Sequence, residues 1–323
     1  MPFGVRVTSS VVPSADSPPQ AGAQAEQGRR RPAIALLVLL VLIWGVNWII
    51  AKMSLAYVSP IWVTALRLLP ACALFFVLCL VTRRLRMPVK ADLPVIFSIG
   101  LLHMVGFSVL VSVGLQYLPA GKSIVLAYTS PLWVVPAAWF FLREPLTVRR
   151  LVGLLIGLSG VVWIMQPGQM DWSDSNVVIG HAFILTGALS WAISIVYGRA
   201  HKWVTPPFSL LPWQMLVGGV VQLILALVLE GLPHIEWTLE LVLLIGFNCL
   251  IGNGLAYWIM NLVSRDLPAG MVSMGLLGVP VIGMLCASLF LGETLGLPLV
   301  LSAVLIIVGI ALGTTAGKKT SIQ

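Results

Sequence analysis

Long apolar runs, separated by short breaks that carry charge, proline or glycine, dominate the chain. The runs fall near residues 33–52, 61–81, 94–116, 121–142, 148–166, 178–199, 209–229, 239–262, 270–291 and 298–315. Each approaches the roughly 20 residues that cross about 30 Å of hydrocarbon at about 1.5 Å rise per residue, so the pattern predicts ten transmembrane helices. Residues 1–32 are rich in Pro, Ser, Gln and Ala and lack an apolar core. They read as a disordered cytoplasmic tail, neither signal peptide nor folded element. Residues 316–323 form a short basic tail. The expected fold class is an all-α integral membrane protein.

Composition sharpens this picture. The 323 residues are 59% hydrophobic and 9% charged, where a soluble domain carries about 25% charged residues. The connections are too short to hold a folded catalytic domain, so the chain is not expected to be an enzyme. A net charge of +8 in a soluble protein would raise nucleic acid as a partner. Here the basic residues mark topology instead, and no nucleic acid is expected. Of the 19 Lys and Arg residues, all but Lys52, Lys122 and Arg67 fall on one side if the N-terminus is inside. Asp171, Asp174, Glu230, Glu236, Glu240 and Glu293 fall on the other. Positive flanks are retained in the cytoplasm, so both termini are predicted inside. Cys72, Cys79, Cys249 and Cys286 lie within apolar runs and read as small hydrophobes. No disulfide framework, metal or cofactor is implied.

The chain repeats itself. Leu118-Pro119-Ala120-Gly121 recurs as Leu267-Pro268-Ala269-Gly270, and the offset of 149 continues without a gap through Pro131 and Pro280 to Glu144 and Glu293. Nearer the start of each half the offset is 147, pairing Trp44 with Trp191 and Pro60 with Pro207. The units are residues 33–166 and 178–315. Each holds five predicted helices, and an odd number inverts the second unit relative to the first. Inverted repeats are the architecture of secondary carriers, whose substrate binds near the midplane between them.

Three motifs then acquire a meaning: Trp44-Gly45-Val46-Asn47-Trp48 in the first helix, Leu118-Pro119-Ala120-Gly121 opening the fourth, and Leu142-Arg143-Glu144-Pro145 closing it. With the echoes Ser190-Trp191, Leu267-Pro268-Ala269-Gly270 and Leu291-Gly292-Glu293-Thr294, they resemble the drug/metabolite transporter superfamily, in its EamA branch, over roughly residues 33–315. The Trp-rich helices and the basic, Pro-containing tail are similar to YddG-like exporters of aromatic amino acids. The resemblance implies export; a symmetric carrier has no direction of its own. Small four-helix relatives that exchange cationic drugs for protons use a mid-membrane Glu in the first helix, where this chain has Asn47.

Polar groups at mid-depth are costly unless they face the bundle interior, which nominates the cavity. Trp44, Asn47 and Trp48 share a face of the first helix, and Trp191 and Ser194 repeat that place in the sixth. Arg67 is the one fully charged residue deep in a span, and either a substrate carboxylate, a structural partner or snorkelling would explain it. His103, the imidazole well inside the bundle, suits pH coupling or a hydrogen-bonding core role. Tyr128, Thr129 and Ser130 before the fourth-helix proline, and Asn248, Asn253 and Tyr257 in the eighth helix, complete the set. Pro131 and Pro280 delete backbone donors at equivalent positions and are the expected gating hinges. Glu144 and Glu293, at helix ends, are expected to organise the following turn. Gly153, Gly157, Gly160, Gly309 and Gly313 give small-residue faces that suit close packing, within the bundle or at a dimer contact.

These features predict a multi-pass protein of the bacterial inner membrane. Its expected partners are membrane lipids and a small-molecule substrate, an amino acid or similar metabolite, handled as a monomer or weak homodimer. An aromatic, weakly charged cavity suits a zwitterion with an apolar side chain. The alternatives are a broad drug/metabolite efflux carrier and, from another class, a membrane-embedded enzyme or lipid-handling protein. The latter needs clustered mid-membrane His, Asp or Glu residues, which the sequence does not offer.

Overall fold

The computed structural model describes residues 19–165, 173–233, 235–267 and 269–315, with side chains from Arg31 onward except at 268–270, 274, 314 and 315. Arg6, Asp171, Pro268, Lys318 and Lys319, used in the topology and repeat readings, lie outside the described residues, as does the tail 316–323. No strand occurs among the described residues.

Among the described residues, ten helical stretches follow in order. They are α1 (Pro19–Ser54), α2 (Pro60–Val81), α3 (Lys90–Tyr117), α4 (Ala120–Leu142), α5 (Val148–Met165), α6 (Ser175–Ala200), α7 (Pro207–Leu229), α8 (Leu239–Asp266), α9 (269–291) and α10 (Leu297–Thr315). Among the described residues, nine stretches are long and apolar enough to cross a membrane. The tenth, within α10, is apolar but shorter, Leu297–Gly313. α1 begins earlier than the composition predicts: the backbone is helical from Pro19, inside the stretch read as disordered. Ala, Gln, Glu and Arg, ten of the twelve residues 20–31, are good helix formers, and a proline is tolerated in a first turn.

The repeat is visible in the irregularities. α3 widens into π-helical turns over Ile99–Phe107, and α8 does so over Phe247–Leu255. α4 breaks at Tyr128 and Thr129, between Ala120–Ala127 and Ser130–Leu142, and α9 breaks at Leu277, between Ala269–Leu276 and Gly278–Leu291. Tyr128 and Leu277 are 149 positions apart, the offset of the sequence repeat. α4 and α9 then end on left-handed residues at matching positions, Arg143 (φ 53°) and Gly292 (φ 67°).

Pro131 explains the first break, because it offers no N–H to the carbonyl of Ala127. The serine before it takes over that acceptor: Ser130 Oγ donates to Ala127 O at 2.8 Å. Thr129 Oγ1 donates to Leu126 O at 2.7 Å. The carbonyl that Pro131 leaves free is thus satisfied inside the membrane by a local hydroxyl.

The two halves interleave. α1 packs on α8 and α9 of the second half, and α6 packs on α3 and α4 of the first. Glycines set the approach: a Cβ on Gly45 would lie 2.5 Å from Ile282 Cγ2, and one on Gly114 would lie 2.5 Å from Ile184 Cγ1. α5 and α10 pair with each other. A Cβ on Gly309 would sit 2.5 Å from Gly153 O and from Gly157 N, and one on Gly160 would sit 2.9 Å from Ser302 O. The small-residue faces therefore meet within the chain, which decides between the two packings the sequence left open.

A central cavity between the repeats

Between the halves lies a cavity of about 150 Å³, below the range of drug-sized pockets and suited to a small metabolite. α1 contributes Trp44, Asn47, Trp48 and Ala51; α2 contributes Arg67 and Leu68; α4 contributes Tyr128 and α6 Trp191. α3 supplies His103, Met104, Phe107, Ser108, Val111, Ser112 and Leu115, and α8 supplies Gly252, Asn253 and Tyr257. No Asp or Glu is among these residues, so Arg67 is the one permanent charge on the wall.

The π-helical turns build much of this wall. Widened turns weaken the regular ladder and leave carbonyls that must find other donors. Four are met by side chains. Ser190 Oγ of α6 donates to Leu102 O at 2.7 Å, Gln222 Nε2 of α7 donates to Met104 O, Asn253 Nδ2 donates to Asn248 O at 2.9 Å, and Trp44 Nε1 of α1 donates to Gly252 O at 3.3 Å. Donors from three neighbouring helices thus hold the irregular segments in place. Gly252 has a second reason to be glycine: a Cβ there would overlap Asn47 Oδ1. Asn47 Oδ1 is buried and has no hydrogen-bond partner.

One side of the cavity is aromatic. Trp191 stacks face to face on His103, with centroids 5.2 Å apart and planes 8° apart. Phe107 lies 4.8 Å from Trp191, and Tyr128 meets Trp191 edge-on at 6.1 Å. Trp48 approaches Tyr128 at 6.4 Å, and Trp44 meets Tyr257 edge-on at 6.2 Å. These are the separations at which rings attract one another. Arg67 donates from Nη2 to Ser108 Oγ, a neutral partner that leaves most of the guanidinium fork available.

Nine of the residues nominated from sequence meet on this wall: Trp44, Asn47, Trp48, Arg67, His103, Tyr128, Trp191, Asn253 and Tyr257. Four nominated residues lie off it. Ser130 is buried and bonded to Ala127 O, on the far side of the α4 break. Ser194, 4% exposed, sits one turn along α6 from Trp191 and is buried. Thr129 and Asn248 are likewise buried outside the wall. Thr129, Ser130 and the Asn248 amide nitrogen each bond to backbone of their own helix, so polarity alone did not report exposure to the cavity. Pro131 and Pro280 do not line the cavity. Phe107, Ser108 and Ser112 were not nominated. The spacing of Ser108 and Ser112, one turn apart on one helix face, was the available clue.

The acidic helix ends act across the structure more than on their own turns. Glu144 pairs with Arg150 at 3.0 Å and with Arg199 of α6. Glu293 accepts the backbone N–H groups of Ala120 and Gly121, opening α4 in the other half. The four cysteines are free and buried, and among the described residues no three His, Cys, Asp or Glu side chains gather as a metal site would require.

Comparison with known proteins agrees with this architecture. The model of the EamA-like transporter family matches twice, over residues 31–166 and 178–315. The Bacillus subtilis (strain 168) protein named "Uncharacterized transporter YoaV" is 28% identical over 278 residues, covering 86% of this chain and 95% of its own. The Salmonella typhimurium protein named "Probable amino-acid metabolite efflux pump" is 25% identical, covering 85% and 92%. The Escherichia coli (strain K12) protein named "Uncharacterized inner membrane transporter YedA" is 26% identical, covering 82% and 84%. A crystal structure only 20% identical shares the fold, with a TM-score of 0.62 over 88% of this chain and 98% of that one. With both halves matched by one family model and each half showing the same breaks, the chain belongs to the EamA-like transporter family.

Proposed function

We propose that the protein is a ten-helix carrier of the bacterial inner membrane, with both termini cytoplasmic, that exports amino acids bearing aromatic or other apolar side chains by alternating access. The observation that carries this reading is the cavity: an aromatic wall around Trp191, one guanidinium at Arg67, and no carboxylate among its lining residues. Arg67 offers a planar fork that matches a carboxylate in a bidentate pair. The rings of Trp48, Phe107, Tyr128 and Trp191 offer packing for an apolar side chain. A substrate ammonium would be met by ring faces and by amide or hydroxyl oxygens of Asn253 and Tyr257. The names of the Salmonella and Escherichia relatives support export and the inner membrane.

Binding is read directly from thermal unfolding of the purified protein, since a ligand that binds only the folded state raises Tm with its concentration. Phenylalanine, tryptophan and leucine are expected to raise Tm, and lysine and glutamate to leave it unchanged. Stabilisation by lipophilic cations, with none by any amino acid, would replace this reading with broad drug efflux.

A further inference from the structure

Buried hydroxyls in this bundle mostly direct their proton at their own backbone. Ser54, Thr64, Ser123, Thr129, Ser130 and Ser302 each donate to a carbonyl three or four residues earlier, at 2.7–2.8 Å. Such back-bonding satisfies a hydroxyl without help from a second helix. Among the described residues, the hydroxyls of Ser112, Ser194 and Ser209 are buried and make no such bond, and of the three Ser112 alone lines the cavity. Ser112 is 6% exposed. A hydroxyl kept from water without a partner is costly, unless a ligand supplies the partner.

Ser112 also stands in a fixed relation to Arg67. The guanidinium donates to Ser108 Oγ. Ser112 follows Ser108 by four residues in the regular part of α3, Ser108–Tyr117, so their Cβ atoms lie on one face about 5–6 Å apart. Along that face the cavity presents a guanidinium, a hydroxyl already engaged by it, and then a hydroxyl that is free. Apolar Val111 and Leu115 lie beside Ser112 on the wall. No Asp or Glu is among the lining residues, so a bound cation has to be met by neutral oxygens and rings.

We infer that Ser112 is the acceptor for the substrate α-ammonium, and that Arg67, Ser108 and Ser112 together read the head group of an α-amino acid. With the carboxylate on the Arg67 fork, the ammonium is carried by the next carbon. A hydrogen bond at each end of this short head group bridges the spacing between Ser108 and Ser112. The ammonium donates to Ser112 Oγ, a charge-assisted bond that its apolar neighbours keep from water. The side chain is left to the rings. The assignment rests on the amino acid reading of the cavity and adds the residue that tells an amino acid from a carboxylic acid of the same shape.

Phenylalanine and hydrocinnamate share a ring and a carboxylate and differ by the ammonium. Dissociation constants for both are read from the concentration dependence of Tm of the purified protein. The parent should bind phenylalanine the more tightly. Ser112→Ala should weaken phenylalanine about tenfold and leave hydrocinnamate unchanged, so the preference between them falls about tenfold. The substitution removes no hydrogen bond within the protein, and a mere loss of packing would weaken both ligands alike. Ser112→Cys, nearly isosteric but with a weakly accepting sulfur, should lose the same preference and decides the matter where the alanine variant does not fold. Arg67→Leu should weaken both ligands, because the carboxylate is common to them. A preference that survives both Ser112 substitutions overturns the inference; its collapse in Tyr257→Phe instead would place the ammonium on α8. A parent that binds both ligands equally overturns it too. A parent stabilised by neither ligand sinks the amino acid reading itself, so the parent alone tells the two failures apart.

Discussion

Arg67 carries the heaviest burden of any side chain in the bundle. A guanidinium at mid-helix costs about 2.5–3.5 kcal/mol on insertion scales, and within the protein its hydrogen-bond partner is the neutral hydroxyl of Ser108. A residue kept for structure would carry a compensating carboxylate; one kept for a ligand can be deleted without loss of stability. Arg67→Leu should therefore leave Tm equal or higher while weakening amino acid binding more than about tenfold, the value of the lost charge-assisted bonds. A drop in Tm with unchanged binding would make Arg67 structural. Much of the site was legible at this scale because hydrocarbon makes polarity conspicuous: Asn47, Arg67, His103, Asn253 and Tyr257 stand out among apolar neighbours. Ser130 and Ser194 stood out equally and lie elsewhere; the Ser130 hydroxyl bonds to its own helix and has no need of a cavity. Phe107 was hidden for the reverse reason, an apolar residue in an apolar helix.

At the scale of elements, the breaks and the π-helical turns were unequally readable. Pro131 and Pro280 mark the broken helices in the sequence, because a missing N–H interrupts the ladder wherever it falls. Nothing local announces Ile99–Phe107 or Phe247–Leu255 as π-helical. Their carbonyls are held by Ser190, Gln222 and Trp44 from other helices, so the conformation is fixed by tertiary contacts. If the breaks serve as hinges, Pro131→Ala with Pro280→Ala restores two donors, straightens α4 and α9, and slows exchange at least about tenfold while binding persists. Unchanged exchange rates would make the prolines static kinks. The α5–α10 pair gives a cleaner structural test. Gly309→Leu drives a side chain into the backbone of Gly153 and Gly157, and the folded yield should fall sharply, whereas Gly296→Ala, whose Cβ would meet Pro298 Cδ at an ordinary 3.6 Å, should be neutral.

For the molecule as a whole, the sequence repeat proved to be a structural one down to its irregularities. Tyr128 and Leu277, Arg143 and Gly292, and the two π-helical segments occupy matching positions in the two halves. The interleaving of the halves was not legible, because periodicity describes each helix and is silent on which partner it meets. Interleaving has a consequence for function. α1 and α6, which carry Trp48 and Trp191, each pack on helices of the opposite half, so any rocking of the halves moves Trp48 and Trp191 relative to each other.

The claim at the centre of this account is that the cavity passes apolar amino acids across the bilayer. Counterflow in proteoliposomes tests it most directly: vesicles loaded with unlabelled phenylalanine are diluted into a trace of labelled phenylalanine, with no pH gradient. Transient accumulation of label, competed by leucine and tryptophan and lost in Arg67→Leu, is the expected result. No accumulation with any amino acid, alongside counterflow of unrelated solutes, would contradict it.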